Sequence, residues 1–199
     1  MAGWSTHKGC MITLSQANID TDQLIPSRFM SVPRSEGYQD YLLHDLRRMA
    51  DGSLDPDFPL NHKTQASILL AGANFGSGSS REAAVYALVD AGFHAVIAPS
   101  FGDIFSSNAV NNGLFPACVN EADWKILNNS TGKVQIDLTA GTITIGNTEV
   151  NFTIEYSWRI KLINGWDDID LTKQHVSEIA AYKTLRHQIT PWAWPARVD

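Results

Sequence analysis

Apolar residues in this chain fall into short runs punctuated by Gly, Pro, Asn and Asp, and the period of the pattern changes along the sequence. Four runs, at 11–14, 68–71, 95–98 and 114–119, have the length and continuity of buried strands. Between the second and third lies a loop rich in Gly and Ser at 72–79, then a helical pattern over 80–91. The third run leads through Ser100-Phe101-Gly102-Asp103-Ile104-Phe105, which opens a further short helix. Asn111-Asn112-Gly113 marks a turn before the fourth run. This alternation predicts an α/β fold whose centre is a strand–loop–helix–strand unit, and such folds place ligands in the loops at the ends of the strands.

The remaining segments read differently. Residues 38–49 have helical spacing, with Leu42, Leu43, Leu46 and Met49 on one side, and Asp51-Gly52 ends them. Residues 32–37 read as a mobile loop, and 122–128 as a short helix. From Lys133 the period drops to two. Val134, Ile136 and Leu138, then Ile143 and Ile145, then Val150, Phe152 and Ile154 alternate with polar residues, and Ala140-Gly141 and Gly146-Asn147 supply the turns. A half-buried three-stranded meander is therefore expected. After Asn164-Gly165 the stretch 171–187 predicts an amphipathic helix with Val176, Ile179, Ala180 and Leu185 on its apolar side. Pro191-Trp192-Ala193-Trp194-Pro195 then places two indoles near the end, either packed loosely on the domain or facing a partner. The simplest architecture is one α/β domain over 1–199, with the meander and a C-terminal helix appended to the central unit.

Composition narrows the function. With 199 residues, 44% of them hydrophobic and 18% charged, the chain buries a full core without disulfides or metal. The net charge of -6 and the lack of a Lys/Arg run argue against nucleic-acid and anionic-membrane binding, both of which need a basic footprint. No apolar stretch approaches the ~20 residues that span a bilayer. The first ten residues lack the apolar core of a signal peptide, so the expected location is the cytoplasm. The 2 cysteines, Cys10 and Cys118, are expected to be idle thiols, and the 6 histidines are scattered. An iron–sulfur cluster normally takes more thiolates than this chain has, so no metal or cofactor is expected on the chain itself.

The loop Gly72-Ala73-Asn74-Phe75-Gly76-Ser77-Gly78-Ser79-Ser80-Arg81-Glu82 carries the candidate chemistry. It lacks the Gly-Lys-Ser/Thr of a phosphate-binding P-loop. Gly76 and Gly78 match the first two glycines of the dinucleotide fingerprint, but Arg81 stands at the third, where a bulky side chain prevents close helix packing. What the loop offers is different. Two glycines turn the backbone tightly and expose its N–H groups, Ser79 and Ser80 place two hydroxyls at a helix start, and Arg81 adds a fork suited to a carboxylate. That set suits a carboxylate or a phosphate. The competing reading is a capping box with Ser79 as N-cap and Glu82 at N3, worth about 1 kcal/mol without any ligand. In the earlier segment Asn18-Ile19-Asp20-Thr21-Asp22-Gln23-Leu24-Ile25-Pro26, the pair Asp20 and Asp22 is read first as an Asp-rich capping turn.

Taken together, three segments resemble the 3-isopropylmalate dehydratase small-subunit family, the separate-chain version of the aconitase swivel domain. They are 18–26, Asn74 to Glu82, and Ile97-Ala98-Pro99-Ser100-Phe101-Gly102-Asp103-Ile104-Phe105. Asn164-Gly165-Trp166-Asp167-Asp168-Ile169-Asp170-Leu171-Thr172 also resembles the family's C-terminal signature. The resemblance covers roughly 10–185 and implies a swivel-type α/β fold. It further implies a hydro-lyase of leucine biosynthesis, assembled with a large subunit that carries a 4Fe-4S cluster and acting on a small hydroxy acid. By position it implies Ser79 as the catalytic base. Arg81 is then the carboxylate clamp, and Gly78, Ser80, Asp22 and Thr21 face the substrate. The sequence departs from the family at Ala83, where His is usual, at Ser77, where many members have Cys, and at Trp166, where the family has Leu. Two rivals stand beside this reading: a sister enzyme for citraconate, dimethylmaleate or homoaconitate, and an anion-binding module without chemistry. Residues 29–37 are the expected specificity loop.

Overall fold

The computed structural model describes residues 2–62 and 65–194. Seven strands form one mixed sheet among them: β1 (Thr6–Leu14), β2 (Ala66–Ala71), β3 (Ala95–Ala98), β4 (Phe115–Cys118), β5 (Lys133–Asp137), β6 (Thr142–Ile145) and β7 (Thr148–Asn151). Their order is β4-β3-β2-β1-β5-β6-β7. The first four are mutually parallel; β5 runs antiparallel to β1 and starts an antiparallel meander through β6 and β7. The register of β1 against β2 shifts between Cys10 and Met11, just where its pairing with β5 ends.

The run-like composition of the parallel strands follows from burial on both faces. Leu69 and Ala71 pack with Val96 and Ala98 on one side of the sheet. Ile68 and Leu70 pack with Ala95, Ile97, Phe115, Val134 and Ile136 on the other. The meander alternates as its period demands, with Val134 and Ile136 buried and Lys133 and Gln135 exposed. Helix α2 (Glu82–Asp90) crosses from β2 to β3 and buries Ala83, Ala84, Val85, Ala87 and Leu88. Its small residues let it sit close to the sheet. The other helices are α1 (Thr21–Leu24), α3 (Asp103–Asn111), α4 (Glu121–Asn128), α5 (Tyr156–Asn164), α6 (Asp168–Lys173) and α7 (Val176–Ile189).

Three segments depart from expectation. Residues 38–49 form no α-helix; a single 3-10 turn, Gln39–Tyr41, is followed by irregular turns. Leu42 and Leu43 are adjacent and both fully buried. The chain bends at Leu43, whose φ of 52° lies in the left-handed region and cannot continue an α-helix. Residues 32–37 are tied down rather than free. Arg34 pairs with Asp90 of α2 at 2.6 Å and lies over the Tyr86 ring at 4.5 Å. The expected helix 171–187 is two helices. Asp167 caps α6 in a capping box with Asp170, and Asp168 ties α6 to the buried Lys161 of α5 and to Asn111 of α3. Helix α7 buries none of its residues. Val176, Ile179, Tyr182, Leu185 and Ile189 stay exposed on it, and Trp192 beyond it is 82% exposed. Trp194 stacks on His187 at 4.0 Å, while Pro195 lies outside the described residues.

Cys10 and Cys118 are both exposed and unpaired. They sit on β1 and β4, with two strands between them. No helix among the described residues is long and apolar enough to cross a membrane.

Candidate functional site

Because β1, β2 and β3 are parallel, the loops that leave their C-terminal ends emerge on one edge of the sheet. Those loops carry the three motif segments, and backbone bonds stitch them together. Asn18 N–H donates to Ala73 O at 2.8 Å, Gly76 N–H to Ile19 O at 2.7 Å, and Thr21 N–H to Ser77 O at 2.9 Å. On the other flank Phe75 N–H donates to Ser100 O at 3.1 Å and Gly102 N–H returns to Phe75 O at 2.9 Å. Asn18 and Asn74 both have φ of 58°, a conformation Asn tolerates better than most residues, and Asn74 Nδ2 donates to Asn18 Oδ1 at 2.9 Å. Neither asparagine was singled out on sequence. Their signal was the ability of Asn to take a left-handed turn.

An aromatic wedge sets the height of the Gly-Ser loop. Phe75 is fully buried and meets Phe105 edge-on at 5.4 Å and Phe101 at 6.3 Å. Gly76 follows with φ of 71°, and a Cβ there would lie 2.2 Å from Cγ of Phe105. Only glycine satisfies both constraints. Gly78, with φ of 93°, makes the second turn.

The segment with two aspartates divides its labour. Asp20 caps α1, accepting from Gln23 N–H at 2.7 Å, while Gln23 Oε1 accepts from Asp20 N–H at 3.1 Å. The capping reading of this segment therefore holds for Asp20. Asp22, two residues further, forms an ion pair with Arg81. The corresponding reading of Ser79 does not hold. Helix α2 starts at Glu82, and its N-cap is Arg81 with no side-chain cap bond. Glu82 accepts from Asn112 Nδ2 at 2.8 Å instead of folding back. The physical reason is tertiary. Gly78 turns the chain, and the Ser79 carbonyl accepts from Thr21 Oγ1 at 2.9 Å and from Arg81 N–H at 2.7 Å. These bonds hold 79–81 out of the helix.

Of the six residues implied for the site, Gly78, Ser79 and Ser80 are exposed together at the open end of α2. Among the described residues, the N–H groups of these three donate no backbone hydrogen bond. Arg81 lies beside them, its side chain 21% exposed against 53% for Asp22. Thr21 stands apart at 1% exposure, its hydroxyl committed to the Ser79 carbonyl. The arrangement presents hydroxyls, unpaired N–H donors and a guanidinium on one open surface, which suits an anion. Of the two departures near the loop, Ala83 is 8% exposed and packs into the core, so it puts no side chain into the site.

A cleft of about 550 Å³ borders the third loop at Ser100 and Phe101 and continues past Cys118, Ile154 and Trp158. Ser79 and Arg81 do not line it. As for a resident metal, the donor set does not fit a cluster: two thiols three strand positions apart cannot converge, and no group of three or more His, Cys, Asp or Glu among the described residues is placed to hold a metal.

The profile of the aconitase C-terminal domain family matches residues 1–122, a span that includes all three loops. A 3-isopropylmalate dehydratase small subunit of Shewanella baltica is 42% identical over 202 residues, covering 96% of this chain and 99% of its own. The chain belongs to the 3-isopropylmalate dehydratase small-subunit family. A small subunit of Arthrobacter sp. is 40% identical with both chains covered to 100%. The crystal structure of 3-isopropylmalate dehydratase from Methanocaldococcus jannaschii superposes with a TM-score of 0.66 at 28% identity, covering 89% of this chain and 99% of that one. The mixed sheet with helices is thus the swivel-type fold of the aconitase family, with its loop edge as the candidate site.

Proposed function

We propose that this chain is the small, cluster-free subunit of a cytoplasmic hydro-lyase of leucine biosynthesis. The enzyme interconverts 2-isopropylmalate and 3-isopropylmalate by dehydration and rehydration, in complex with a large subunit. The observation that carries the proposal is the open cradle formed by Gly78, Ser79, Ser80 and Arg81. It offers hydroxyls, N–H donors and a guanidinium suited to an anion, and the family to which the chain belongs is one of subunits. The apolar side chains that α7 leaves in solvent support a partner-facing role for that helix. The acidic net charge of -6 and the lack of a membrane-spanning helix among the described residues agree with a small-molecule substrate rather than nucleic acid or membrane.

On this reading a substrate carboxylate sits in the fork of Arg81, which Asp22 holds from the side, and Ser80 adds a hydroxyl. Ser79 Oγ removes the proton from the carbon next to a carboxylate. The released electron pair forms the double bond, and the hydroxyl on the neighbouring carbon departs as water with a proton drawn from solvent. Water then adds to the other carbon and returns that proton to solvent, while Ser79 gives its own proton to the carbon that lost the hydroxyl. A serine hydroxyl is a poor base unless its charged form is stabilised. On this reading the Arg81 guanidinium and the loop N–H groups stabilise the developing charge, which is usually the largest electrostatic term in such a site. The 4Fe-4S cluster implied for the large subunit would supply Lewis acidity toward the departing hydroxyl.

The test is to co-express the chain with its large subunit, confirm that the two co-purify, and assay dehydration across a panel of 2-hydroxy di- and tricarboxylates. Isopropylmalate turnover is expected to exceed that of the citraconate, dimethylmaleate and homoaconitate series. A complex with an intact cluster and no activity on any panel member would overturn the proposal.

A further inference from the structure

We infer that Thr21 is a positioning residue for Ser79, acting through the peptide that joins Ser79 to Ser80; the inference rests on the reading of Ser79 as the base. Thr21 is one of three polar residues buried in the described structure, at 1% exposure, so its side chain does not meet substrate. It is the first residue of α1, where the helix has no use for its N–H group. That N–H reaches Ser77 O at 2.9 Å, and the hydroxyl, from the same residue, reaches Ser79 O at 2.9 Å. One buried residue thus holds the loop at two carbonyls that flank Gly78, Ser77 O through its backbone N–H and Ser79 O through its side chain. The next residue, Asp22, holds Arg81.

The consequence is directional. In a trans peptide the C=O and the following N–H point in opposite directions. Holding the Ser79 carbonyl against Thr21 and Arg81 N–H therefore turns the Ser80 N–H away from α1, toward the exposed face. The same restraint fixes the Cα of Ser79 and with it the arc available to Oγ. Without the hydroxyl of Thr21, the carbonyl keeps only its bond from Arg81 N–H at 2.7 Å, within its own loop, and nothing from α1 fixes the peptide's direction. Gly78 cannot compensate, because its φ of 93° is itself permissive. Thr suits the task better than Ser, since β-branching stiffens χ1.

The test uses the co-expressed complex and three variants. Thr21→Val preserves shape and removes the donor. Its kcat is expected to fall by about 10- to 100-fold, the scale of a sub-ångström to 1 Å misplacement, while KM stays near the wild-type value. Thr21→Ser restores the donor and should recover most of kcat, and it serves as the folded control if Thr21→Val fails to assemble. A loss in Thr21→Ser as deep as that of Ser79→Ala would then overturn the inference. The decisive measurement is the double variant Ser79→Ala/Thr21→Val. If Thr21 acts through Ser79, its removal costs nothing further once Ser79 is gone. A raised KM with unchanged kcat, or equal losses in both backgrounds, would overturn the positioning role and leave Ser79 as base intact. Wild-type turnover in Ser79→Ala would overturn the base reading, and the inference with it.

Discussion

Ser79→Ala separates the two readings that local sequence left open, because each predicts a loss in one assay and little change in the other. If Ser79 capped α2, its loss would cost about 1 kcal/mol of stability. In a chain of this size that is about 2–4 °C in Tm. The helix starts at Glu82 and Arg81 occupies the cap position, so no cap is lost. The bonds that hold residue 79 are made by its carbonyl, to Thr21 Oγ1 and Arg81 N–H, and alanine keeps them. The hydroxyl is exposed. The expected change is that of an ordinary surface substitution, within about 0.5 kcal/mol, and Tm should move by less than about 2 °C. Catalysis should respond quite differently. Removing a positioned base costs about 10²- to 10⁴-fold in rate. At 1.36 kcal/mol per tenfold, that is roughly 3–5 kcal/mol of transition-state stabilisation. The assay is kcat and KM of the purified two-subunit complex on isopropylmalate, with a thermal melt of the isolated small subunit alongside. A drop of several degrees in Tm with unchanged kcat would refute the argument and return Ser79 to a structural cap.

Arg81→Lys keeps the charge but loses the two-pronged geometry, and the loss of one charge-assisted bond, about 1.5–3 kcal/mol, should raise KM by roughly 10- to 100-fold; an unchanged KM would place the substrate carboxylate elsewhere. Gly76→Ala drives a Cβ to 2.2 Å from the Phe105 ring at a φ of 71°, so the small subunit should lose about 1–3 kcal/mol or more, read as a lower midpoint in urea; a wild-type midpoint would show that the aromatic wedge yields. At the opposite end of the sheet, His7 stacks on His94 at 4.2 Å and bonds Ser67 Oγ at 2.8 Å. Burial, and secondarily the charge of His94, holds the His7 pKa below its ordinary 6.5. The unfolded chain then binds the extra proton, so this contribution to stability is present above about pH 6.5 and is lost as pH falls below it, toward the folded pKa. Urea midpoints should decline over that range and His7→Gln should flatten the decline; an equal slope in the variant would remove His7 as its source.

How much of this was legible in sequence depended on how local the cause was. The β2–α2–β3 unit announced itself, because strands buried on both faces must be continuously apolar and Leu69 and Leu70 serve opposite sides. The meander was legible for the complementary reason: one face of each strand meets solvent and forces a period of two. Residues 38–49 misled because helical spacing counts apolar positions and does not register a bend such as that at Leu43, where φ is 52°. The apolar side of α7 was visible as a period, but periodicity does not say what covers a face, and in this chain nothing described does.

The site shows the same division at the scale of three residues. Asp20, Thr21 and Asp22 looked in sequence like two carboxylates around a small polar residue, and the local rule for such a segment is a cap. That rule accounts for Asp20, whose partner Gln23 is three residues away. It says nothing of Thr21 and Asp22, whose partners are Ser79 and Arg81, at separations of 58 and 59 residues. The capping alternative for Ser79 fails for the same reason. Ser-Ser-Arg-Glu is a sound capping box in isolation, and it fails here because α1 supplies stronger claims on the same backbone. A cap, a hydroxyl bonded to the Ser79 carbonyl and a carboxylate paired with Arg81 thus sit on consecutive residues, Asp20, Thr21 and Asp22, at one helix start. The loop that pairs with that turn has its arginine and its serine peptide held by one element and not by two independent ones. Perturbing Thr21 should therefore disturb Ser79 more than Arg81, and perturbing Asp22 should do the reverse, which makes kcat and KM separable in a site only three residues long.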